Sequence, residues 1–235
     1  MRRLILSLAL CAALGGVQAA ETFETAEADG VSVPYILTKV SDAPKYAVVL
    51  FPGGDGIVNP HLNPAGRPAY KKKTNFLARA RKLLVDADTA AVFTDSSSDP
   101  KRFRVLAADL KNRFPGAKLF LISTSRGTES SMALAPEIDG LVAGIVHTSS
   151  VKDIVNFDTR KLKSRQLIIH HDTDECRRTP FWAAKKSSER FGTEFIAFTG
   201  GVTEGDVCQP FAYHGYNGIE KQVVDAIREW MARTR

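Results

Sequence analysis

From Thr22 to about Lys39 apolar and polar residues alternate, with Gly30 inside the run and Ser41-Asp42-Ala43-Pro44 closing it. A period of two puts one face against a core and the other toward water, so the segment predicts an N-terminal antiparallel ribbon. After it the pattern changes. Ala47-Val48-Val49-Leu50-Phe51 is an unbroken apolar run that ends in Pro52-Gly53-Gly54-Asp55-Gly56, which predicts a strand buried on both faces. Helical spacing follows around Asn75 to Leu84, then a strand at Ala90-Ala91-Val92-Phe93, then a helix from about Pro100 to Phe114 stopped by Pro115-Gly116. Leu119 to Ile122 predicts another strand, and a helix is expected from the following turn to about Leu134. Further strands are predicted near Leu141 to Val146, at Leu167 to Ile169 and near Phe195 to Phe198. Helices are predicted from about Pro180 to Phe191 and from Gly218 to Ala232, the last one amphipathic.

Apolar strands that alternate with helices of this length predict the α/β class, with a mostly parallel central sheet, helices on both faces and an antiparallel ribbon at its start. The chain has 235 residues and no internal repeat, low-complexity tract or linker, so one domain over residues 21–235 is expected. The Pro/Gly/Asn-rich stretch from Gly53 to Pro68 reads as a long loop, and long loops at strand ends of such sheets carry function.

Residues 1–20 read differently from the rest. Arg2 and Arg3 precede the apolar stretch Leu4 to Leu14, and Val17-Gln18-Ala19 is a small-residue cleavage pattern, so this segment predicts a secretory signal and a periplasmic or secreted protein. Its apolar run is too short to span a bilayer, and no later run qualifies, so an integral membrane protein is not expected. Removing it lowers the formal charge from +6 by the two charges of Arg2 and Arg3, to +4. That weak basic bias, with no Arg-rich arm or aromatic-interleaved basic strand, gives no nucleic-acid module. Lys71-Lys72-Lys73 is the densest basic cluster and reads as a solvated loop or helix start, with contact to an anionic envelope surface as the alternative. The remaining cysteines, Cys176 and Cys208, form an even pair in an exported chain, as expected of one structural disulfide; two separate buried thiols are the alternative.

The segment richest in chemistry is Ser123-Thr124-Ser125-Arg126-Gly127, between a buried strand and a helix. A serine on such a tight turn is lifted out of the sheet and needs small residues two before and two after it, which Ser123 and Gly127 supply. Its hydroxyl is a weak nucleophile until a base takes the proton, and the base needs a third group to orient it. Asp174 follows the strand Leu167 to Ile169, in His170-His171-Asp172-Thr173-Asp174-Glu175, and His214 precedes the last helix in Tyr213-His214-Gly215. The resulting order is serine, acid, histidine, with Asp172 as the rival acid because loop register is uncertain by a couple of residues. His170 and His171 point to opposite faces of a strand and cannot easily share an ion, so no metal site is expected. His61 and His147 read as loop or sheet-end residues. Arg126, Arg177 and Arg178 read as solvated charges, with preference for an anionic substrate as the alternative, and Phe211, Tyr213 and Tyr216 either line a pocket or simply pack.

With these residues in hand, the chain resembles the α/β-hydrolase superfamily over about Ala47 to Trp230, and within it small lid-poor members such as dienelactone hydrolases and bacterial esterases. The resemblance implies Ser125 as nucleophile, Asp174 as acid and His214 as base. It also implies an oxyanion hole formed by the Arg126 amide and a second amide from Gly53-Gly54-Asp55-Gly56, with Gly54 the first choice and Asp55 the next. Ser123 in place of the first elbow glycine and Pro52 in place of a histidine depart from the usual pattern without touching the three catalytic positions. A Cys176–Cys208 bridge would tie the acid loop to the histidine loop. The function expected is hydrolysis of a small-molecule carboxylic ester or related acyl compound with no cofactor; the alternative is a non-catalytic exported binding protein on the same scaffold.

Overall fold

The computed structural model describes residues 19–234; the expected export signal lies almost entirely in residues 1–18, outside the described residues. The alternating N-terminal segment forms the ribbon β1 (Ala20–Ala28) and β2 (Val31–Lys39), paired antiparallel. The apolar runs form β3 (Tyr46–Phe51), β6 (Thr89–Thr94), β7 (Lys118–Thr124), β8 (Gly144–Thr148), β9 (Arg165–His171) and β10 (Glu194–Phe198). Together they make an eight-stranded sheet in the order β1-β2-β6-β3-β7-β8-β9-β10. β2 joins β6 antiparallel, and every pairing from β6 to β10 is parallel.

Period two within each strand divides the core. Val48 and Leu50 of β3 face α1 (Phe76–Leu84) and α5 (Glu220–Ala232), where Leu77, Leu84, Val223, Ile227 and Trp230 are buried. Ala47, Val49 and Phe51 face the opposite way, toward α2 (Pro100–Arg113) and α3 (Gly127–Ile138), which bury Phe103, Leu106, Leu110, Leu134 and Ile138. Each such aliphatic or aromatic side chain contributes about 1.5–3 kcal/mol when fully withdrawn from water, so two covered faces stabilise the parallel sheet. α4 (Phe181–Phe191) covers Ile168 of β9 through Ala183 and Ala184. Local signals set the helix starts: the Asn75 side chain accepts from the Leu77 amide at 3.0 Å, and Asp99 accepts from the Lys101 amide at 2.9 Å, ahead of Pro100.

Three elements differ from the sequence expectation. α3 runs through Pro136 to Ile138, because burying Ile138 offsets the backbone bond that the proline removes. β8 starts at Gly144 instead of Leu141, which lies half-exposed in the turn closed by its amide on the Ile138 carbonyl. The long loop after β3 contains a two-stranded ribbon, β4 (His61–Leu62) and β5 (Pro68–Ala69), too short to show as a hydrophobic period.

The register aligns the carboxyl ends of the central strands: Phe51 pairs with Ser123, Thr124 with Thr148, and Thr148 with Ile169. The chain leaves β3 for β6 on one side and returns to β7 on the other, so a crevice opens where the strand order reverses, between the loops that follow β3 and β7.

A buried polar chain crosses the sheet just below that rim. Ser123 Oγ lies 2.7 Å from Ser131 Oγ, Ser131 Oγ 3.0 Å from His147 Nδ1, and His147 Nε2 3.0 Å from Gln166 Oε1. The Gln166 amide nitrogen donates to the Ser164 carbonyl at 3.1 Å. Burial pushes His147 down to about 4, against the opposing effect of the Gln166 bond. Folded His147 therefore stays neutral down to that pH, while in the unfolded chain it protonates below about 6.5. The unfolded state binds more protons between these limits, so this contribution is present above pH 6.5 and is lost as pH falls toward 4, by about 1.4 kcal/mol per unit at most. Buried His170, also lowered by burial, acts in the same direction. Urea denaturation at pH 7 and pH 5 should show the loss, and His147→Gln, which keeps hydrogen-bonding capacity without titrating, should make it smaller; an unchanged slope in the variant would contradict this account.

Candidate active site

β7 ends at Thr124 and α3 begins at Gly127, so Ser125 and Arg126 make the whole turn. Ser125 has φ +53°, a conformation an L-residue adopts only when its surroundings over-determine it. Here its amide donates to the Thr148 carbonyl at 3.0 Å, and its carbonyl accepts from the Thr128 amide at 2.9 Å and the Thr128 hydroxyl at 2.6 Å. The turn also abuts the loop after β3. A Cβ on Gly127 would lie 2.6 Å from the carbonyl oxygens of both Phe51 and Pro52, and one on Gly53 would lie 2.7 Å from Ser125 Cβ, so both positions require glycine. Ser123, where the usual nucleophile-elbow pattern has glycine, meets no such obstacle: its hydroxyl enters the buried chain through Ser131.

His214 Nε2 lies 3.0 Å from Ser125 Oγ, and His214 Nδ1 lies 2.9 Å from Asp174 Oδ2. The expected serine, acid and histidine are thus in one hydrogen-bonded chain. Asp172, the rival acid, is exposed and accepts from the Thr173 hydroxyl at 2.7 Å instead. Asp174 is buried, and its second oxygen accepts the Cys176 amide at 2.9 Å. Thr179 completes the group: its hydroxyl donates to Asp174 Oδ2 at 3.1 Å and sits 3.1 Å from His214 Nδ1.

The histidine backbone is held from the neighbouring strand ends. Ser149, with φ +44°, donates from its hydroxyl to the His214 carbonyl at 2.8 Å. The Tyr216 hydroxyl accepts from the Ser149 amide at 3.0 Å and donates to the Ile169 carbonyl at 2.9 Å. Neither Thr179 nor Ser149 stood out in the sequence, since a lone Ser or Thr in a loop carries no signal until its partner is known.

Cys176 and Cys208 are joined by a disulfide across 32 residues, tying the acid loop to the loop that leads into His214. Asp174, Cys176 and His214 come within 4.8 Å of one another, a spacing suited to a metal, but the Cys176 sulfur is committed to the disulfide and offers no thiolate. His170 packs against Phe181 and His171 stacks on Tyr213, on opposite faces of β9.

A cleft of about 290 Å³ opens at Ser125, lined by Gly53, Gly54, Thr74, Phe76, Gln209 and His214 among others. Gly54 borders this cleft and Arg126 caps α3 beside it, with no protein acceptor for either backbone amide among the described residues. The Arg126 side chain is half-exposed near Glu129, and Arg177 and Arg178 are exposed; none of the three lines the cleft. Phe211, Tyr213 and Tyr216 do not line it either; Tyr216 is fully buried against Phe76. A larger cleft of about 620 Å³ lies at the other end of the strands, among Ala107, Leu110, Leu119 and Val142, remote from Ser125.

No protein-family model matches the sequence, and no curated protein matches it. Solved structures do match its shape. A dienelactone hydrolase from Anabaena variabilis aligns with a TM-score of 0.65 at 16% identity, covering 93% of this chain and all of that one. Est1E from Butyrivibrio proteoclasticus aligns with a TM-score of 0.60 at 13% identity over 90% of this chain and 98% of its own. An α/β serine hydrolase without lid from Xanthomonas campestris aligns with a TM-score of 0.59 at 12% identity, over 91% and 95%. The chain has the α/β-hydrolase fold.

Replacing Thr179 by valine keeps the shape but removes a donor to a buried carboxylate. A hydrogen bond to a charged group contributes about 1.5–3 kcal/mol, so any activity that depends on His214 should fall roughly ten-fold or more in kcat/KM, with little change in KM. Reducing the disulfide should destabilise the protein by about 3–4 kcal/mol, measured by denaturant titration with and without reductant.

Proposed function

We propose that this chain is an exported serine hydrolase that cleaves a carboxylic ester or related acyl compound through an acyl-enzyme on Ser125. The observation that carries the reading is the continuous hydrogen-bonded chain from buried Asp174 through His214 to the Ser125 hydroxyl on its strained turn. Asp174 accepts the Nδ1 proton of His214, which leaves the Nε2 lone pair facing the hydroxyl. As Ser125 Oγ attacks the carbonyl carbon, its proton passes to Nε2, and Asp174 stabilises the imidazolium. The carbonyl oxygen becomes an oxyanion that the Gly54 and Arg126 amides receive, with the amino end of α3 adding its dipole. Nε2 then returns the proton to the leaving oxygen, the C–O bond breaks, and the acyl group stays on Ser125. Water, deprotonated by the same imidazole, releases the acid and restores the serine.

Activation of the hydroxyl by imidazole and carboxylate is sufficient for this sequence, and the proposal includes no cofactor. A cleft of about 290 Å³ is at the small end of ligand sites, which favours a small-molecule substrate. The names of the similar structures, a dienelactone hydrolase and a cold-adapted esterase among them, agree with ester chemistry. Export to the periplasm or the medium is supported by the N-terminal sequence pattern and by a disulfide, which persists in oxidising compartments.

A fluorophosphonate probe reacts only with an activated serine. The mature protein should be labelled, Ser125→Ala and His214→Ala should not, and both should lower ester turnover by about 10⁴-fold or more. A folded wild-type protein that resists labelling would overturn the reading and favour a binding protein on this scaffold.

A further inference from the structure

The cleft beside Ser125 is electrically one-sided. Apart from His214, its only ionisable side chain among the described residues is Lys72, and no carboxylate lines it. Lys71 and Lys73 are exposed, whereas the Lys72 side chain is only 28% exposed, so the middle of the basic cluster turns inward while its neighbours face water. The sequence reading of the whole cluster as solvated therefore fails at this one position.

The turn inward is imposed by the backbone. Lys72 has φ +64°, a conformation that would suit glycine better. It is held there from both sides: the Lys71 amide donates to the Val58 carbonyl at 2.7 Å, and the Lys72 carbonyl accepts from the Asn75 amide at 2.9 Å. Tyr70, two residues earlier, is anchored on Phe93 and accepts from buried Arg81 at 2.9 Å. The ammonium consequently comes to rest over Gly54. Nζ lies 3.0 Å from the point where a Cβ on Gly54 would sit, and Gly54 itself has φ +70°. A side chain at position 54 would occupy the place that Lys72 fills from another segment.

The ammonium is not used up by the protein. It has three protons, and Asp55 Oδ1, at 2.8 Å, takes one. The Asp55 side chain is 60% exposed at the rim, where an ion pair contributes little. The Asp55 carboxyl is held below its usual range first by the hydrogen bond from Lys72. Arg79, a nearby cation, is committed to Glu220 and the Gly215 carbonyl, both at 2.8 Å. Thr74, Asn75 and Phe76 bring the amino end of α1 to the same cleft, and its first turn carries no acid to neutralise it. A strained lysine, a helix amino end with no acid in its first turn and a lining without carboxylates all favour negative charge next to Ser125.

We propose that the substrate is an ester carrying a second, free carboxylate, and that Lys72 is the residue that selects it. This rests on the hydrolase reading of Ser125 and adds the substrate class. The carboxylate would pair with the ammonium across Gly54, leaving the ester carbonyl beside the Gly54 and Arg126 amides, so charge recognition and orientation come from one contact.

Mono-4-nitrophenyl adipate and its neutral methyl ester differ only in the second carboxylate and report through the same chromophore. Wild type should favour the acid form in kcat/KM by about ten-fold or more, chiefly through KM, and the preference should shrink in about 0.5 M NaCl. Lys72→Met should remove the preference, Lys72→Glu should reverse it, and Lys72→Arg should restore much of it. Equal hydrolysis of the two esters by wild type, or an equal loss on both in Lys72→Met, would overturn the assignment; the salt response of wild type decides the matter if a variant fails to fold. Calorimetric titration of free adipate into Ser125→Ala protein separates the two readings. Binding that needs Lys72, without turnover of either ester by wild type, would keep the carboxylate site and sink the hydrolase. Turnover without preference and without binding would do the reverse.

Discussion

The close approach of two backbone segments at the rim of the sheet governs the rest of the structure. The chain leaving β3 runs so near the Ser125 turn that neither Gly127 nor Gly53 has room for a Cβ. That contact keeps a serine in a left-handed conformation between a strand and a helix, where its hydroxyl faces a crevice instead of the core. The same approach sets the Gly54 amide at the cleft's edge, so the proposed nucleophile and one proposed oxyanion donor are positioned by a single packing event. A substituent at either glycine would separate the two segments, and loss of geometry would precede loss of fold.

Around that contact, support comes from the ends of neighbouring strands. Ser149 after β8 and the Ile169 carbonyl of β9 hold the His214 segment through its carbonyl and the Tyr216 hydroxyl, while Thr179 and the Cys176 amide bind both oxygens of Asp174. The disulfide ties the Asp174 loop to the loop leading into His214 covalently, so that pairing does not depend on loop packing alone. Below the rim, the Ser123–Ser131–His147–Gln166 chain leaves few polar groups unpaired under the turn, and it accounts for a serine where glycine is usual in this fold. Shape and polar satisfaction thus reinforce each other: the turn is strained, and what surrounds it is well bonded.

The cleft adds charge to this geometry. Asp174 is buried behind His214, Asp55 stands out at the rim, and between them Lys72 and His214 are the ionisable side chains of the walls among the described residues. In the proposed reaction, this segregation would let Asp174 orient His214 without repelling an anionic ligand in front of it.

The order of apolar runs and helical periods by itself determined the layered α/β architecture, because strands buried on both faces and amphipathic helices leave few other arrangements. It also singled out Ser125, through its setting between strand and helix, and the pair Cys176 and Cys208, through their number. It did not decide between Asp172 and Asp174, since two residues in a loop differ only in which one the strand register turns inward. It gave no sign of Thr179 or Ser149, whose shared partner His214 is 35 and 65 residues away in the chain. Nor did it separate Lys72 from its two neighbours, because three adjacent lysines are identical in composition and differ only in backbone dihedral. Periodicity is a local property and survives in the sequence; the direction of a single loop side chain is fixed by contacts from remote segments, and only the tertiary structure brings those segments together.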